Sequence, residues 1–465
     1  MNWVFLTALV LYLLIMIAVS FWFSRAENMK DGDDFILAGR SLPAPVLAGT
    51  LLATFVGSGS IIGGASFVYS NGPFAGVFFF GGMFAAIICL YFVAPKVRDA
   101  GFHTIPELLN EKFGGVVRVL GIVVVLTAFV GITAYQFTGA GYILSLIAPI
   151  TELQGAIIAF VLITFLALSG GLKSVAWTDF LSSILIVLGL GFVAVWVFVK
   201  DVGGFGTWID SLSPDFMSLT GPLNGWQAAG YFLPLFLLIL GDQNMHQRLA
   251  AAKDGKTAKQ GMVLFFIGAF FVVTPVIIAA SSSSILQPDI KPDVAILSLA
   301  AGEFTPTAIG AVLLVAALAL ILTTGSSYLL TCSGNVVYDL VYFKRRSQSE
   351  EKRAVTLGRL SVLSLSVVAF VLVQFFPSVL SLQMYAYSMY GAAITPVVMG
   401  ALYWSKVTSQ GALASMTIGG LVTIGWELAG KPGDLNSVIP ALPASVFALV
   451  AVSLLTSRTG KARNA

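Results

Sequence analysis

Apolar stretches of about 20 residues recur along the whole chain, and charge almost disappears inside them. No other feature constrains the fold as much, because a helix crosses a bilayer core with ~20 apolar residues. Thirteen such stretches lie near 3–23, 43–69, 74–95, 116–148, 153–170, 174–200, 226–243, 257–285, 305–342, 353–377, 379–404, 408–430 and 438–457. Only 10% of the 465 residues are charged, while 57% are hydrophobic. An average soluble domain carries about 25% charged residues. A water-facing enzyme surface, a disordered chain and a nucleic-acid-binding domain are excluded on that ground. The 47 glycines and 35 phenylalanines suit closely packed membrane helices. The first stretch lacks a basic start and an A-x-A site, and Arg25 follows it, so it reads as a retained helix rather than a signal peptide. The expected fold is all-α and integral to the membrane, with about 13 transmembrane helices and no soluble domain.

The basic residues test that count. Thirteen spans put the termini on opposite sides. With the N-terminus outside and the C-terminus in the cytoplasm, all of the 25 Lys and Arg except Lys200, Lys291 and Lys431 fall inside. That is a strong positive-inside bias. Arg248, Lys253, Lys256 and Lys259 are assigned to an inside loop on this reading, as are His103 and His246. Segments 201–225 and 286–304 are expected to carry short interfacial helices outside. Gly101–Phe113 reads as an inside surface helix capped by Thr104, with Pro106 near its start. Cys89 and Cys332 sit in apolar runs and form no disulfide framework.

Three segments carry chemistry. The second span holds Gly57, Gly59, Gly63 and Gly64 with Ser58 and Ser60 between them. Each Gly costs about 1 kcal/mol against Ala inside a helix, so the cluster points to a helix that unwinds at mid-membrane. Free carbonyls there are tolerated where they line a cavity or bind an ion. Close helix packing is the plainer alternative. The ninth span places Thr323, Thr324, Ser326 and Ser327 together; they either bond back to their own helix or supply oxygens to a small hard cation. Asp179 lies about one turn into the apolar sixth span, and embedded carboxylates are functional candidates by default. Its partner is either Lys173 or a cation held with the ninth-span hydroxyls. Glu427 is the other embedded acid, within reach of Lys431. No nucleophile–base pair or metal-ligand spacing stands out, so no enzyme activity is expected.

Taken together, ATFVGSGSIIGGASFVYSNG, GGLKSVAWTDF, LILGDQNMHQRLAAAKD and the hydroxyl-rich ninth span ending YDLVY resemble the sodium/solute symporter family. In style they are nearest to its choline- and sugar-transporting branches. The resemblance implies a LeuT-like fold with two inverted repeats of five helices, the first helix of each being broken. The chain then divides into residues 1–42 (first helix and inside loop), 43–200 (first repeat), 201–225 (outside loop), 226–404 (second repeat) and 405–465 (two C-terminal helices). It implies a first sodium site at Ala53, Val56, Leu320, Thr323 and Thr324, and a second at Asp179, Thr323, Ser326 and Ser327. It places the solute among spans two, three, four, seven and eleven, with Phe55, Ser58, Ser60, Phe79, Gln136, Asp242 and Gln243 as candidates. The seventh span shows only Pro234 as an internal breaker. A choline cage needs aromatic walls, and here Ile132 and Asp242 stand where the family's tryptophans are expected.

The implied activity is sodium-coupled import of a small polar solute by alternating access, with two sodium ions and no organic cofactor. The substrate class stays open among sugar-like, amino-acid-like, carboxylate and amine solutes. A tenfold sodium gradient and 100 mV support roughly 400-fold accumulation with one ion and roughly 10⁵-fold with two. The expected setting is the inner membrane of a bacterium, with the protein working as a monomer. The rival reading is a non-transporting sensor or ion channel on the same fold. The short stretch after the last span, without a signalling domain, weighs against a sensor.

Overall fold

The computed structural model describes residues 3–23, 38–169, 172–342, 348–376 and 378–462. Its helices are α1 (Trp3–Phe23), α2 (Ala44–Phe55), α3 (Ala65–Asn71), α4 (Pro73–Ala100), α5 (Ile105–Phe113), α6 (Gly115–Ile147), α7 (Glu152–Ser169), α8 (Leu172–Lys200), α9 (Phe205–Ser211) and α10 (Gly225–Gly241). They continue with α11 (Gln243–Ala250), α12 (Gly255–Leu286), α13 (Ala295–Ala301), α14 (Thr307–Gly334), α15 (Gln348–Leu372), α16 (Val379–Ala393), α17 (Thr395–Tyr403), α18 (Ser409–Leu428) and α19 (Val438–Ala462). Among the described residues the only strand-like contact is an isolated bridge between Leu42 and Ala252.

Among the described residues, helix is found in each of the thirteen apolar stretches. Eight of the described helical segments are long and apolar enough to cross a membrane alone, and a pair bent by 61°, Ala44–Phe55 with Gly59–Asn71, adds a ninth. The others are short, or are cut by a break that the hydropathy pattern hides. The seventh span is cut at Asp242, whose ψ of 125° is non-helical and whose side chain caps α11. Pro234 lies inside α10 and is not the break. The eleventh span, expected as one helix, is divided at Ile394, with Pro396 opening α17. The surface helix is α5, with Thr104 accepting from the Glu107 N–H. Segments 201–225 and 286–304 carry the short helices α9 and α13.

α14 forms the axis of the bundle and is buried on all faces from Leu313 to Ser326, as expected of a helix apolar all round. α6, α7, α8, α1 and α15 surround it. α2 lies between α8 and α12, and α16 packs on α6 and α10. Small residues set the closest approaches. A Cβ on Gly141 would stand 2.7 Å from the Glu152 carbonyl, and one on Gly155 2.7 Å from the Gly141 carbonyl, so α6 and α7 touch backbone to backbone. Phe92, Phe165, Val195 and Leu428 are exposed on the outer face, where lipid replaces water.

Candidate functional site

The break in the second span builds the site. α2 stops at Phe55, and Val56 leaves helical geometry at φ −84°, ψ 74°. The chain rewinds through a π-helical turn, Gly59–Gly64, before α3. Glycine permits the wide turn and the close approach it needs: a Cβ on Gly59 would lie 3.1 Å from both Gln383 Nε2 and Tyr387 Oη. Backbone groups freed by the break need partners, because unpaired buried amides are costly. The Ser58 N–H donates to Gln136 Oε1 at 3.0 Å, and Ser60 Oγ donates to the Phe55 carbonyl at 2.7 Å.

The ninth span presses against this break. Thr324 Oγ1 donates to the Ala53 carbonyl at 3.1 Å, joining residues 271 positions apart. Thr323 Oγ1 reaches the Leu320 carbonyl at 3.2 Å. Neighbouring oxygens that share a hard cation at ~2.4 Å stand ~3.1–3.5 Å apart. Thr324 and Ala53 thus meet across the break, with Val56 at the break itself, while Thr323 bonds back to its own helix, one of the two roles the hydroxyls could take. Ser326 Oγ donates to the Thr323 carbonyl at 3.0 Å, one turn further along. Ser327 is half-buried and its carbonyl accepts from Thr331.

Asp179 has a partner that the sequence did not suggest. Arg248 lies 3.7 Å from Asp179 Oδ2, with side chains only 2% and 4% exposed. Thr50 Oγ1 donates to the same oxygen at 2.7 Å and accepts from Arg248 Nε at 2.9 Å. The Thr323 hydroxyl, by contrast, donates to the Leu320 carbonyl of its own helix. Arg248 and His246 are thus not loop residues: both are fully buried in α11. The side chain of Lys173, the other suggested partner, is outside the described residues. A clue lay in the spacing of Asn244 and Arg248, one turn apart in a stretch too polar to resemble a span. Glu427 pairs with Lys431 at 3.2 Å, as anticipated.

The solute candidates divide. Phe55, Ser58, Ser60 and Gln136 surround the break. Asp242 accepts from the Asn244 and Met245 N–H groups and from Tyr328 Oη at 2.7 Å. Gln243 binds Asn335 at 2.9 Å and the Ile105 N–H. These two act in capping and helix–helix bonding, the plainer reading for Gln243. Phe79 is fully buried and stacks on Phe67 at 4.7 Å. Three residues at the break went unnoticed in the sequence: Tyr135 and Tyr387, whose hydroxyls lie 3.2 Å apart, and Gln383. Gln383 and Tyr387 are spaced i, i+4 on α16, a polar pair in an apolar span.

A family model described as the sodium:solute symporter family matches residues 35–419. The high-affinity proline transporter PutP of Bacillus subtilis (strain 168) is 29% identical over 463 residues, covering 95% of this chain and 96% of that one. A sodium/proline symporter of Staphylococcus aureus is 27% identical over 493 residues, covering 99% and 94%. Among solved structures, a substrate-bound, outward-open Na+-coupled sialic acid symporter aligns over 98% of both chains with a TM-score of 0.80 at 17% identity. The MhsT complex with L-phenylalanine aligns over 89% of this chain and 98% of that one, with a TM-score of 0.55 at 13% identity. These neighbours give the fold as LeuT-like. The match runs through the broken second helix, the break at Asp242 and the hydroxyl-bearing ninth span, so the chain belongs to the sodium:solute symporter family.

Proposed function

We propose that this chain is a sodium-coupled symporter that imports a small zwitterionic amino acid, with L-proline as its substrate. The observation that carries the coupling is the Thr324 hydroxyl set 3.1 Å from the Ala53 carbonyl across a broken helix. Sodium fits between such oxygens, and it can bind there only while α2 and α14 are held together. An ion whose affinity differs between two arrangements of these helices biases one of them. The first ion uses Ala53, Val56, Leu320, Thr323 and Thr324; a second uses Asp179, Thr323, Ser326 and Ser327.

One observation supports the amino-acid class: relatives aligning over nearly the full chain are named for proline transport. Phe55, Tyr135 and Tyr387 give the apolar ring of proline aromatic neighbours, and freed carbonyls suit its ammonium. Residues 43–200 and 226–404 form the two inverted repeats. The N-terminus lies outside and the C-terminus inside a bacterial plasma membrane, and the monomer is the working unit.

Proteoliposome uptake of labelled L-proline with a panel of unlabelled competitors tests the substrate. Proline and its close ring analogues should compete, and choline and hexoses should not. Competition by choline or a sugar without competition by proline removes the amino-acid reading.

A further inference from the structure

Asp179 is a buried carboxylate whose counter-charge comes from a different helix. Arg248 is 1% exposed and Asp179 3%. Arg248 Nη2 faces Asp179 Oδ2, Nε meets Thr50 Oγ1, and Nη1 meets the Asn244 carbonyl at 3.3 Å. Three elements therefore meet at one carboxylate: α2, which ends at the broken second span; α8, which carries Asp179; and α11, which begins at the broken seventh span. Two of these three are half-helices next to backbone breaks. Arg248 stays charged in a protein interior, so it cannot leave Asp179 by losing a proton. It leaves only by a movement, of its side chain or of α11.

We propose that Arg248 and a sodium ion compete for Asp179, so that Arg248 is the positioning residue that sets when the second ion binds and when it leaves. This deepens the symporter reading above and rests on it. With Arg248 at the carboxylate, a second cation meets both a filled oxygen and a like charge about 4 Å away, a repulsion that is strong in a desolvated site. When α11 swings out, Asp179 is left without a counter-charge, and burying it so is costly. Sodium entry then relieves that cost. When α11 returns, the guanidinium displaces the ion from the carboxylate. Thr50 serves both states, since its hydroxyl can bond the carboxylate with or without Arg248. Ion release is thereby driven by a residue of the protein rather than by dilution alone.

The test compares wild type, Arg248→Gln, Arg248→Lys and Asp179→Asn/Arg248→Gln. Purified protein is titrated with ²²Na+ in potassium chloride at constant ionic strength, without solute. Thermal stability in sodium and in potassium is read alongside. Arg248→Gln should bind the second ion at least about tenfold more tightly, and sodium should stabilise it more than it stabilises wild type. Net uptake should slow while proline exchange persists, because only net transport needs the empty site to reset. Arg248→Lys should restore wild-type sodium affinity, and the double variant should bind a single ion. A general packing defect weakens ion binding and cannot tighten it. Unchanged or weaker sodium binding in Arg248→Gln, with the double variant folded and binding one ion, overturns the competition. A wild type whose uptake ignores sodium overturns the symporter reading itself, so the two failures are distinguishable.

Discussion

Replacing Thr324 by valine removes one hydroxyl and leaves nearly the same volume. Thr324 is buried, and its Oγ1 lies 3.1 Å from the Ala53 carbonyl on the other side of the broken helix. Two losses follow. The neutral bond itself contributes about 1 kcal/mol of net stability, since folding only exchanges it for water. The larger loss is in ion binding. An oxygen facing a charge is worth about 1.5–3 kcal/mol, which corresponds to roughly 10- to 150-fold in sodium affinity. Thr324→Ser keeps the oxygen and should stay near wild type. The assay is the sodium concentration giving half-maximal proline uptake in proteoliposomes, at saturating proline and constant ionic strength. Thr324→Val should move this midpoint upward by at least tenfold, with Thr324→Ser within about threefold. If valine leaves the midpoint where it was, Thr324 is a packing residue and the first ion site lies elsewhere.

Further outcomes follow from other parts of the structure. A Cβ on Gly57 would lie 2.8 Å from Gln136 Nε2, and Gln136 is fixed by its bond to the Ser58 N–H; Gly57→Ala should cost about 1–3 kcal/mol of stability, read by thermal unfolding in detergent. Gly115 has nothing within 4 Å of an added Cβ, so Gly115→Ala should leave stability unchanged or raise it slightly. Removing the break's partner with Gln136→Leu leaves the buried Ser58 N–H unpaired and should lower stability by about 1–3 kcal/mol. Glu107, on the surface helix α5, is pushed up by burial. Its bonds to the His103 ring and backbone N–H and its attraction to that ring outweigh this, so its carboxyl sits below the usual range. A depressed carboxylate stabilises the fold above its unfolded value of ~4.3 and loses that effect as the pH falls through its folded value. Glu107→Gln should therefore flatten the stability slope below about pH 4, measured by thermal unfolding against pH.

The sequence revealed the spans because a bilayer demands runs of apolar residues, and among the described residues helix is found in every run it marked. The break at Val56 was legible because four glycines within eight residues, Gly57, Gly59, Gly63 and Gly64, weaken a helix, although close packing alone was the plainer alternative. The break at Asp242 was hidden because an aspartate that caps a half-helix resembles a charge at the edge of a loop. Arg248 was misread for a related reason. Positive charge near a span end reports topology in most membrane proteins, and one sequence cannot show that a side chain turns inward to a carboxylate 69 positions away. The link between Thr324 and Ala53 came through the family resemblance; the hydroxyls alone did not distinguish ion ligands from helix back-bonding. Tyr135, Gln383 and Tyr387 were missed because tyrosine is common in apolar spans, and only the fold brings α6 and α16 to the same break.

The central claim is that solute movement is driven by sodium through the oxygens at the broken second helix. Purified protein in liposomes loaded with potassium is diluted into sodium or potassium medium, and labelled proline is followed with time. An inward sodium gradient should produce transient accumulation above the external concentration, enhanced by an inside-negative potential and abolished in potassium. Equal proline entry in both media, levelling at the external concentration, would show passive permeation and contradict the account.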